Sequence, residues 1–209
     1  MDVAIAKIKI CGLSRPEDIE MVNEFMPDYI GFVFAKSKRQ VNDLEAQKLK
    51  NDLNPAIKVV GVFVNDHIER IINLYNRGTI DLIQLHGDEG EDYIRKLKVQ
   101  VAAPIIKAIP VRSSWDIRNA EKLNHDYLLL DTYSQSQRGG TGKTFDWNMI
   151  SNISRPFYIA GGINVNNVLQ AIRQVKPYAI DVSSGVETDG YKDKEKIRQL
   201  ISRIKQQIN

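Results

Sequence analysis

A single cysteine and a distant aspartate are the first candidates for chemistry in this sequence. Cys11 and Asp131 each end a short apolar segment. A thiolate can remove a proton and a carboxylic acid can donate one, so the pair suggests general acid–base catalysis, with Lys9 or Arg39 as the cation that favours the thiolate. A free cysteine is more often a small buried hydrophobe, and an aspartate after a strand is often a cap or loop residue. Residue type alone therefore leaves both interpretations open.

Two segments that contain glycine and serine could hold an anion. Gly161-Gly162 follows one apolar segment, and Ser183-Ser184-Gly185 follows the next one along the chain. Glycines let a phosphate approach the backbone, whose N–H groups then act as donors. Either segment alone could be a tight turn, but the two in succession favour a phosphate site.

A third group of polar residues at or just beyond segment ends is expected to contact a substrate: Arg39, Gln84, His86 and Asp181. Arg39 could bind a carboxylate through two parallel hydrogen bonds, or be a solvated charge in a basic loop. His86 could hydrogen-bond a substrate or have only a structural role. The other two histidines, His67 and His125, are expected at the surface.

Residues so far apart can act together only in a fold that gathers the segment ends. Eight apolar segments with helical stretches between them are found at residues 8–11, 29–34, 58–64, 81–85, 104–108, 127–131, 157–160 and 178–182. This alternation, without a Pro/Ser-rich linker, predicts a single α/β domain over residues 1–209, a (β/α)8 TIM barrel of eight parallel strands with outer helices. A doubly wound open sheet is the alternative, but Cys11-Gly12-Leu13 stands where its Gly-x-Gly-x-x-Gly motif would follow the first strand.

Helix starts and one long connection are also predicted. Ser14-Arg15-Pro16-Glu17 has the pattern of a capping box with proline in the first turn, and Asn65 and Asn164 are expected to cap later helices. Residues 132–144 are polar and rich in glycine, and we interpret them as a lid or a disordered insert. The last helix is predicted from apolar residues at helical spacing, namely Ile197, Leu200, Ile201, Ile204 and Ile208.

The overall composition narrows the class of protein. Lys and Arg outnumber Asp and Glu by 29 to 26, and like charges form no long block, so neither a nucleic-acid partner nor a membrane surface is predicted. One cysteine allows no intramolecular disulfide and no cysteine-based metal cluster. Because no secretory signal and no apolar run of membrane length is visible, we expect a cytoplasmic location.

The motifs around these residues resemble those of the phosphoribosylanthranilate isomerases, enzymes of tryptophan biosynthesis. The similarity runs in family order from residue 7 to about residue 193. The matching motifs are Lys9-Ile10-Cys11-Gly12, Gly31-Phe32-Val33-Phe34 with Ser37-Lys38-Arg39, Gly61-Val62-Phe63-Val64-Asn65, Gln84-Leu85-His86-Gly87, Leu130-Asp131, Gly140-Thr141-Gly142-Lys143-Thr144-Phe145-Asp146-Trp147, Ala160-Gly161-Gly162-Ile163 and Asp181-Val182-Ser183-Ser184-Gly185-Val186-Glu187.

The resemblance implies an Amadori rearrangement of N-(5-phosphoribosyl)anthranilate to 1-(2-carboxyphenylamino)-1-deoxyribulose 5-phosphate, with no metal and no organic cofactor. It implies that Asp131 protonates the furanose ring oxygen, which opens the ring to an iminium ion. Cys11 would then remove a proton from the neighbouring carbon. Arg39 would meet the anthranilate carboxylate, and the glycine and serine segments would meet the phosphate.

Other interpretations remain open beside this one. A related aldose–ketose isomerase of histidine biosynthesis should carry an aspartate where Cys11 stands. An aldolase would need a Schiff-base lysine at a strand end, for which Lys107 is the nearest candidate. A barrel that only binds a phosphosugar or a partner protein would be expected to lose Cys11 or Asp131, and both are present. The chain could act as a monomer or a homodimer.

Overall fold

A computed structural model describes residues 6–133, 144–150 and 153–206. Eight parallel strands close into a barrel in chain order, with the last strand hydrogen-bonded to the first. They are β1 (Lys7–Cys11), β2 (Tyr29–Val33), β3 (Lys58–Phe63), β4 (Leu82–Leu85), β5 (Ile105–Val111), β6 (Tyr127–Thr132), β7 (Phe157–Ile159) and β8 (Ala179–Val182). The predicted barrel is confirmed, and each strand begins within one residue of its expected start.

Helices follow most of the strands. They are α1 (Pro16–Phe25), α2 (Asp43–Asn51), α3 (Ile68–Asn76), α4 (Glu91–Gln100), α5 (Ser114–Ala120), α6 (Val168–Val175) and α7 (Lys194–Lys205). The described part of the β6–β7 connection contains a 3-10 turn, Trp147–Met149, in place of the helix expected there. After β8 come a second 3-10 turn, Ser184–Val186, and a short hairpin of β9 (Glu187–Thr188) and β10 (Tyr191–Lys192).

Side-chain alternation along the strands separates two apolar cores. Ile8 and Ile10 of β1 belong to the core between the barrel and its helices, so Lys9 and Cys11 face the barrel interior. The inner core contains Val60, Leu82, Ile106, Ala108, Leu129, Tyr158, Ala160 and Ala179. Burying each large aliphatic side chain contributes about 1.5–3 kcal/mol, so both cores hold the strand ends rigidly.

The predicted start of α1 with proline in its first turn is confirmed, but Arg15 and Asp18 stand where Ser14 and Glu17 were expected. Arg15 is the N-cap, Pro16 is the first helical residue, and the Asp18 carboxylate accepts from the backbone N–H groups of Ser14 and Arg15. The helix therefore begins where proline fits best, because its missing N–H would have no intrahelical acceptor there.

The predicted cap at Asn65 is wrong, and Asn164 caps the turn that precedes its helix and not the first residue of the helix. Asn65 has a left-handed φ of 50° and accepts from the Asp88 N–H at 2.8 Å, so it ties two loops together, whereas α3 begins at Ile68. Asn164 accepts from the Asn166 N–H at 2.8 Å and forms a turn before α6. Asparagine favours both caps and turns, and the sequence alone does not distinguish these uses.

Part of the predicted connection and of the last helix lies outside the described residues. Of residues 132–144 the structure describes only Thr132, Tyr133 and Thr144, and Ile208 also lies outside. Thr132 Oγ1 accepts a hydrogen bond from the Phe145 N–H at 3.1 Å, which brings the two ends of the connection together. Helix α7 buries the other four residues of its predicted stripe. Among the described helices, none has the length and apolar character that a bilayer crossing requires.

Candidate active site

A cavity of about 760 Å³ opens at the carboxyl ends of the barrel strands. Apolar side chains such as Val33, Val62 and Ile163 form part of its wall, and Lys36 and Lys38 add positive charge. All site residues expected from the sequence line it: Cys11, Arg39, Gln84, His86, Asp131, Gly161, Gly162, Asp181, Ser183, Ser184 and Gly185. The barrel thus brings together residues that are up to 174 positions apart in the chain, from Cys11 to Gly185.

Cys11 occupies the last position of β1, beside Gly31 of β2. The thiol is buried, with 9% of the residue exposed. Burial raises the pKa of Cys11, and the ammonium groups of Lys9 and Lys192 act in the opposite direction without cancelling that effect. The thiol is therefore mostly protonated at neutral pH in the unliganded protein. Of the two cations expected to help it ionise, Lys9 acts on it, together with Lys192.

Lys9 is a fully buried cation inside the barrel. Its Nζ donates to Asp181 Oδ2 at 2.8 Å and to Gln84 Oε1 at 2.9 Å. Burial acts to lower the pKa of Lys9, but the Asp181 carboxylate and the Cys11 sulfur together outweigh burial, and the pKa is raised. A buried ammonium with these partners remains charged and holds two cavity residues in fixed positions.

Asp131 lies near the end of β6, 6% exposed. Its Oδ1 accepts from the backbone N–H of Thr132 at 2.7 Å, and its Oδ2 lies 3.4 Å from His86 Nε2. On the other side of the imidazole ring, Gln84 Nε2 lies 2.9 Å from His86 Nδ1. The carboxyl group is thus oriented from both of its oxygens.

Arg39 lines the cavity, but its guanidinium is already paired in a bidentate manner. Nε and Nη2 donate to the Glu187 carboxylate at 2.6 and 2.8 Å. Lys192, which is buried, donates to the same carboxylate at 2.7 Å. Burial acts to raise the pKa of Glu187, yet these two cations lower it to about 2. Glu187 therefore occupies the Nε–Nη2 edge of the Arg39 guanidinium and leaves Nη1 unused by this ion pair.

The loops after β7 and β8 interlock at the cavity wall. Gly161 and Gly162 have φ values of 78° and 67°, which side-chain-bearing residues rarely adopt. A Cβ on Gly185 would overlap the carbonyl oxygen of Ile163, so only glycine lets the two loops meet. Among the described residues, no group accepts a hydrogen bond from the backbone N–H of Gly162, Ser184 or Gly185.

These donors belong to loops and not to a helix terminus. Helix α6 begins at Val168, six residues after Gly162, because the predicted cap Asn164 forms a turn instead. The donors available to the anion site predicted from the sequence are therefore loop N–H groups made accessible by glycine.

Two residues of the site were missed by sequence reasoning. Glu187 and Lys192 lie beyond the last barrel strand. Of the two, only Glu187 could have been noticed in the sequence, because it closely follows Ser183-Ser184-Gly185.

Lys107, the candidate for a Schiff base, donates to Glu89 at 2.8 Å and to the Gly87 carbonyl at 2.8 Å, and it does not line the cavity. Its ammonium group forms an ion pair with the Glu89 carboxylate.

Comparison with known proteins gives a consistent result. Residues 8–203 match the profile of the family described as N-(5'phosphoribosyl)anthranilate (PRA) isomerase. The N-(5'-phosphoribosyl)anthranilate isomerase of Clostridium acetobutylicum is 48% identical to this chain over 205 residues, which cover 96% of this chain and 98% of that relative.

Solved structures agree with the sequence comparison. The phosphoribosyl anthranilate isomerase of Thermotoga maritima superposes with a TM-score of 0.86 at 36% identity, covering 96% of this chain and 99% of that one. A phosphoribosyl anthranilate isomerase in complex with reduced 1-(o-carboxyphenylamino)-1-deoxyribulose 5-phosphate superposes with a TM-score of 0.80 at 33% identity, with coverage of 96% and 99%. The chain therefore belongs to the phosphoribosylanthranilate isomerase family.

Proposed function

We propose that Cys11 is the general base and Asp131 the general acid in the reaction of this protein. The protein is an isomerase of tryptophan biosynthesis that converts N-(5'-phosphoribosyl)anthranilate to 1-(o-carboxyphenylamino)-1-deoxyribulose 5-phosphate. The observation that carries the two assignments is that the thiol of β1 and the carboxyl group of β6 line the same cavity. A ribose between them meets an acid and a base from two separate strands.

The reaction needs one proton to be delivered and one to be removed. Asp131 donates a proton to the furanose ring oxygen, the bond from that oxygen to C1 breaks, and the anilino nitrogen lone pair forms an iminium ion at C1. The iminium ion acidifies C2, whose proton passes to the Cys11 thiolate, and the electron pair of that C–H bond neutralises the iminium. The resulting enol tautomerises to the ketose. The substrate nitrogen is the electron sink, and each positioned group contributes about 10²–10⁴-fold.

The phosphate is proposed to bind between the loops after β7 and β8. The N–H groups of Gly162, Ser184 and Gly185, which lack protein acceptors among the described residues, supply donors there. Ser183 and Gly161 complete this wall of the cavity. The close approach of the two loops at Gly185 supports a shared site for one phosphate, because it brings donors from both loops together.

Arg39 is proposed to face the anthranilate carboxylate while Glu187 fixes the plane of its guanidinium. The pairing with Glu187 uses one edge of the guanidinium, so substrate binding would draw on the remaining Nη1 edge together with Lys36 and Lys38 of the same wall. Since Glu187 remains ionised above pH values of about 2, Arg39 stays oriented at all working pH values.

Asp181 is proposed to accept a hydrogen bond from a sugar hydroxyl. Its Oδ2 is bound to Lys9, whereas its Oδ1 is buried and no described residue donates to it. An ionised carboxylate oxygen without a donor is costly, so a substrate hydroxyl at this position would be bound well. All the proposed contacts come from one chain, and they therefore fit the predicted monomer or homodimer equally.

Loss of anthranilate fluorescence on addition of protein tests the proposed roles directly. The wild-type protein should turn over phosphoribosylanthranilate, and Cys11→Ala and Asp131→Asn should each nearly abolish turnover. Neither change removes a large buried group, so thermal unfolding should stay close to that of the wild type. A Cys11→Ala protein with the wild-type rate would remove the base assignment, and an Asp131→Asn protein with that rate would remove the acid assignment.

A further inference from the structure

A continuous set of polar contacts crosses the barrel interior and ends at Asp131. It begins at Asp181 of β8, which binds Lys9 of β1, and Lys9 in turn binds Gln84 of β4. Gln84 contacts His86, whose ring then faces Asp131. Lys9 is fully buried and Gln84 is 1% exposed, so water has no access to the bond between them. The base side of the cavity is thereby connected to the acid side.

The charge of Lys9 determines which way the Gln84 amide points. An ammonium group has donors and no acceptor, so the amide atom 2.9 Å from Lys9 Nζ must be the carbonyl oxygen Oε1. The amino group Nε2 is then the atom that faces His86 Nδ1 at 2.9 Å. The ammonium group alone sets this orientation, because it can only donate.

The Gln84 amino group in turn determines the state of the His86 ring. Nε2 of Gln84 is a donor, so His86 Nδ1 must accept and cannot carry a proton. The single ring proton is then on Nε2, and the imidazole is neutral. Protonation of Nδ1 would place two donors against each other, unless Gln84 turned over and gave up its bond to Lys9.

We propose that Lys9 and Gln84 are positioning residues that hold His86 as the Nε2–H tautomer, so that the ring donates to Asp131 as Asp131 releases its proton. His86 Nε2 lies 3.4 Å from Asp131 Oδ2, while the Thr132 N–H already binds Oδ1 at 2.7 Å. As negative charge develops on the carboxyl group, both donors stabilise it, and the longer contact shortens. The effect on catalysis rests on the proposed acid role of Asp131, whereas the tautomer of His86 does not depend on that role.

Nitrogen-15 spectra of the histidine rings test the tautomer without any turnover. The chain has three histidines, and His86→Gln identifies the resonances of His86 by their disappearance. At pH 8 the wild-type ring should show an unprotonated Nδ1 and a protonated Nε2. The opposite tautomer, or a ring protonated on both nitrogens, would overturn the proposal.

Substitution of Gln84 tests whether that residue sets the tautomer. Gln84→Glu places an acceptor oxygen against His86 Nδ1, so a proton should appear on Nδ1. Gln84→Met removes the amide without adding charge, and the ring should become a mixture of tautomers. If both variants keep the pure Nε2–H form, Gln84 does not control the ring. Because the wild-type tautomer is measured without any Gln84 variant, a Gln84 variant that fails to fold leaves the proposal open to refutation.

Two substitutions of His86 test whether a donor at the Nε2 position matters for catalysis. The side-chain amide nitrogen of Gln reaches the position of Nε2, whereas that of Asn reaches the position of Nδ1. Both changes should lower kcat, and His86→Asn should lower it about 10- to 100-fold further than His86→Gln, the effect of losing one hydrogen bond to a charged group, with KM little changed. Equal losses in the two variants, or a better Asn variant, would contradict the proposal. Absence of turnover in the wild type would instead refute the proposed function and leave the nitrogen spectra to decide the tautomer.

Discussion

A Cβ at position 31 would lie 2.6 Å from the sulfur of Cys11. Gly31 is paired with Cys11 across β1 and β2, and its φ is outside the left-handed region. Glycine is therefore required there to make room for the thiol and not to permit an unusual backbone. Because Gly31 of β2 has no side chain, the sulfur of the proposed base has room at this position.

Gly31→Ala should displace the thiol and lower kcat by about 10²-fold, because a misplacement of about 1 Å is enough for such a loss. Steady-state kinetics should find KM less affected than kcat. Gly61→Ala on β3 is the matched control, since its Cβ would meet Phe63 and Ile80 at 2.8 and 3.0 Å, among the apolar side chains. It should lower the unfolding temperature and keep kcat. Equal kcat values for the two alanine variants would contradict the steric role of Gly31.

The rate at which iodoacetamide alkylates Cys11 should rise with pH well into the alkaline range. Burial raises the pKa of Cys11, and the thiolate is the reactive form of a cysteine. Below that pKa the thiolate fraction falls tenfold for each pH unit, so the alkylation rate should fall with the same slope. A plot of the alkylation rate against pH measures this slope, and a curve that levels off near pH 7 would show that the thiol ionises more readily than its surroundings indicate.

Glu187→Gln should destabilise the protein at neutral pH and raise KM. The pKa of Glu187 is lowered from 4.5 to about 2, which corresponds to about 3 kcal/mol of stability that is present above pH 4.5. Because a lowered carboxyl pKa means that this stability is lost as the pH falls, the difference from the wild type should shrink between pH 4.5 and about 2. Urea unfolding across that range measures it. A difference that does not depend on pH would assign the effect to packing.

Gly185→Ala should weaken phosphate binding by forcing apart the loops after β7 and β8. Its Cβ would overlap the Ile163 carbonyl oxygen, so the N–H donors from the two loops would no longer converge. We expect KM for the substrate and the inhibition constant for inorganic phosphate to rise together, by about tenfold or more, the loss of at least one charge-assisted hydrogen bond. Gly90→Ala is the control, because nothing lies within 4 Å of its Cβ and its φ is −94°. Should phosphate inhibit the Gly185→Ala protein as well as the wild type, the proposed site is wrong.

The barrel and the position of its site could be predicted because both depend on apolar periodicity. Strand segments such as 127–131 are apolar runs that end at a polar residue, and the carboxyl ends of parallel strands meet at one face. Every expected site residue therefore lines the cavity. What each of them does there stays a prediction, since position on a strand gives location and not chemistry.

The partners of these residues could not be predicted, because they depend on where loops lie in three dimensions. Arg39 and Glu187 are 148 positions apart, and nothing in either local pattern indicates that they pair. His125, expected at the surface, is 1% exposed and contacts the Ala120 carbonyl through Nε2 at 2.9 Å. A histidine can be buried when one nearby backbone oxygen pairs with its ring, and such a partner is set by tertiary packing.

The chain contains one sulfhydryl group, and it lies at the mouth of the barrel. Alkylation can therefore occur at one place only, so the moles of label incorporated into a preparation equal the moles of accessible barrel mouths. Whole-protein mass spectrometry of partly labelled samples gives the labelled fraction, and the activity that remains should fall in proportion to that fraction. Protection of that label by a phosphosugar would measure occupancy on the same scale.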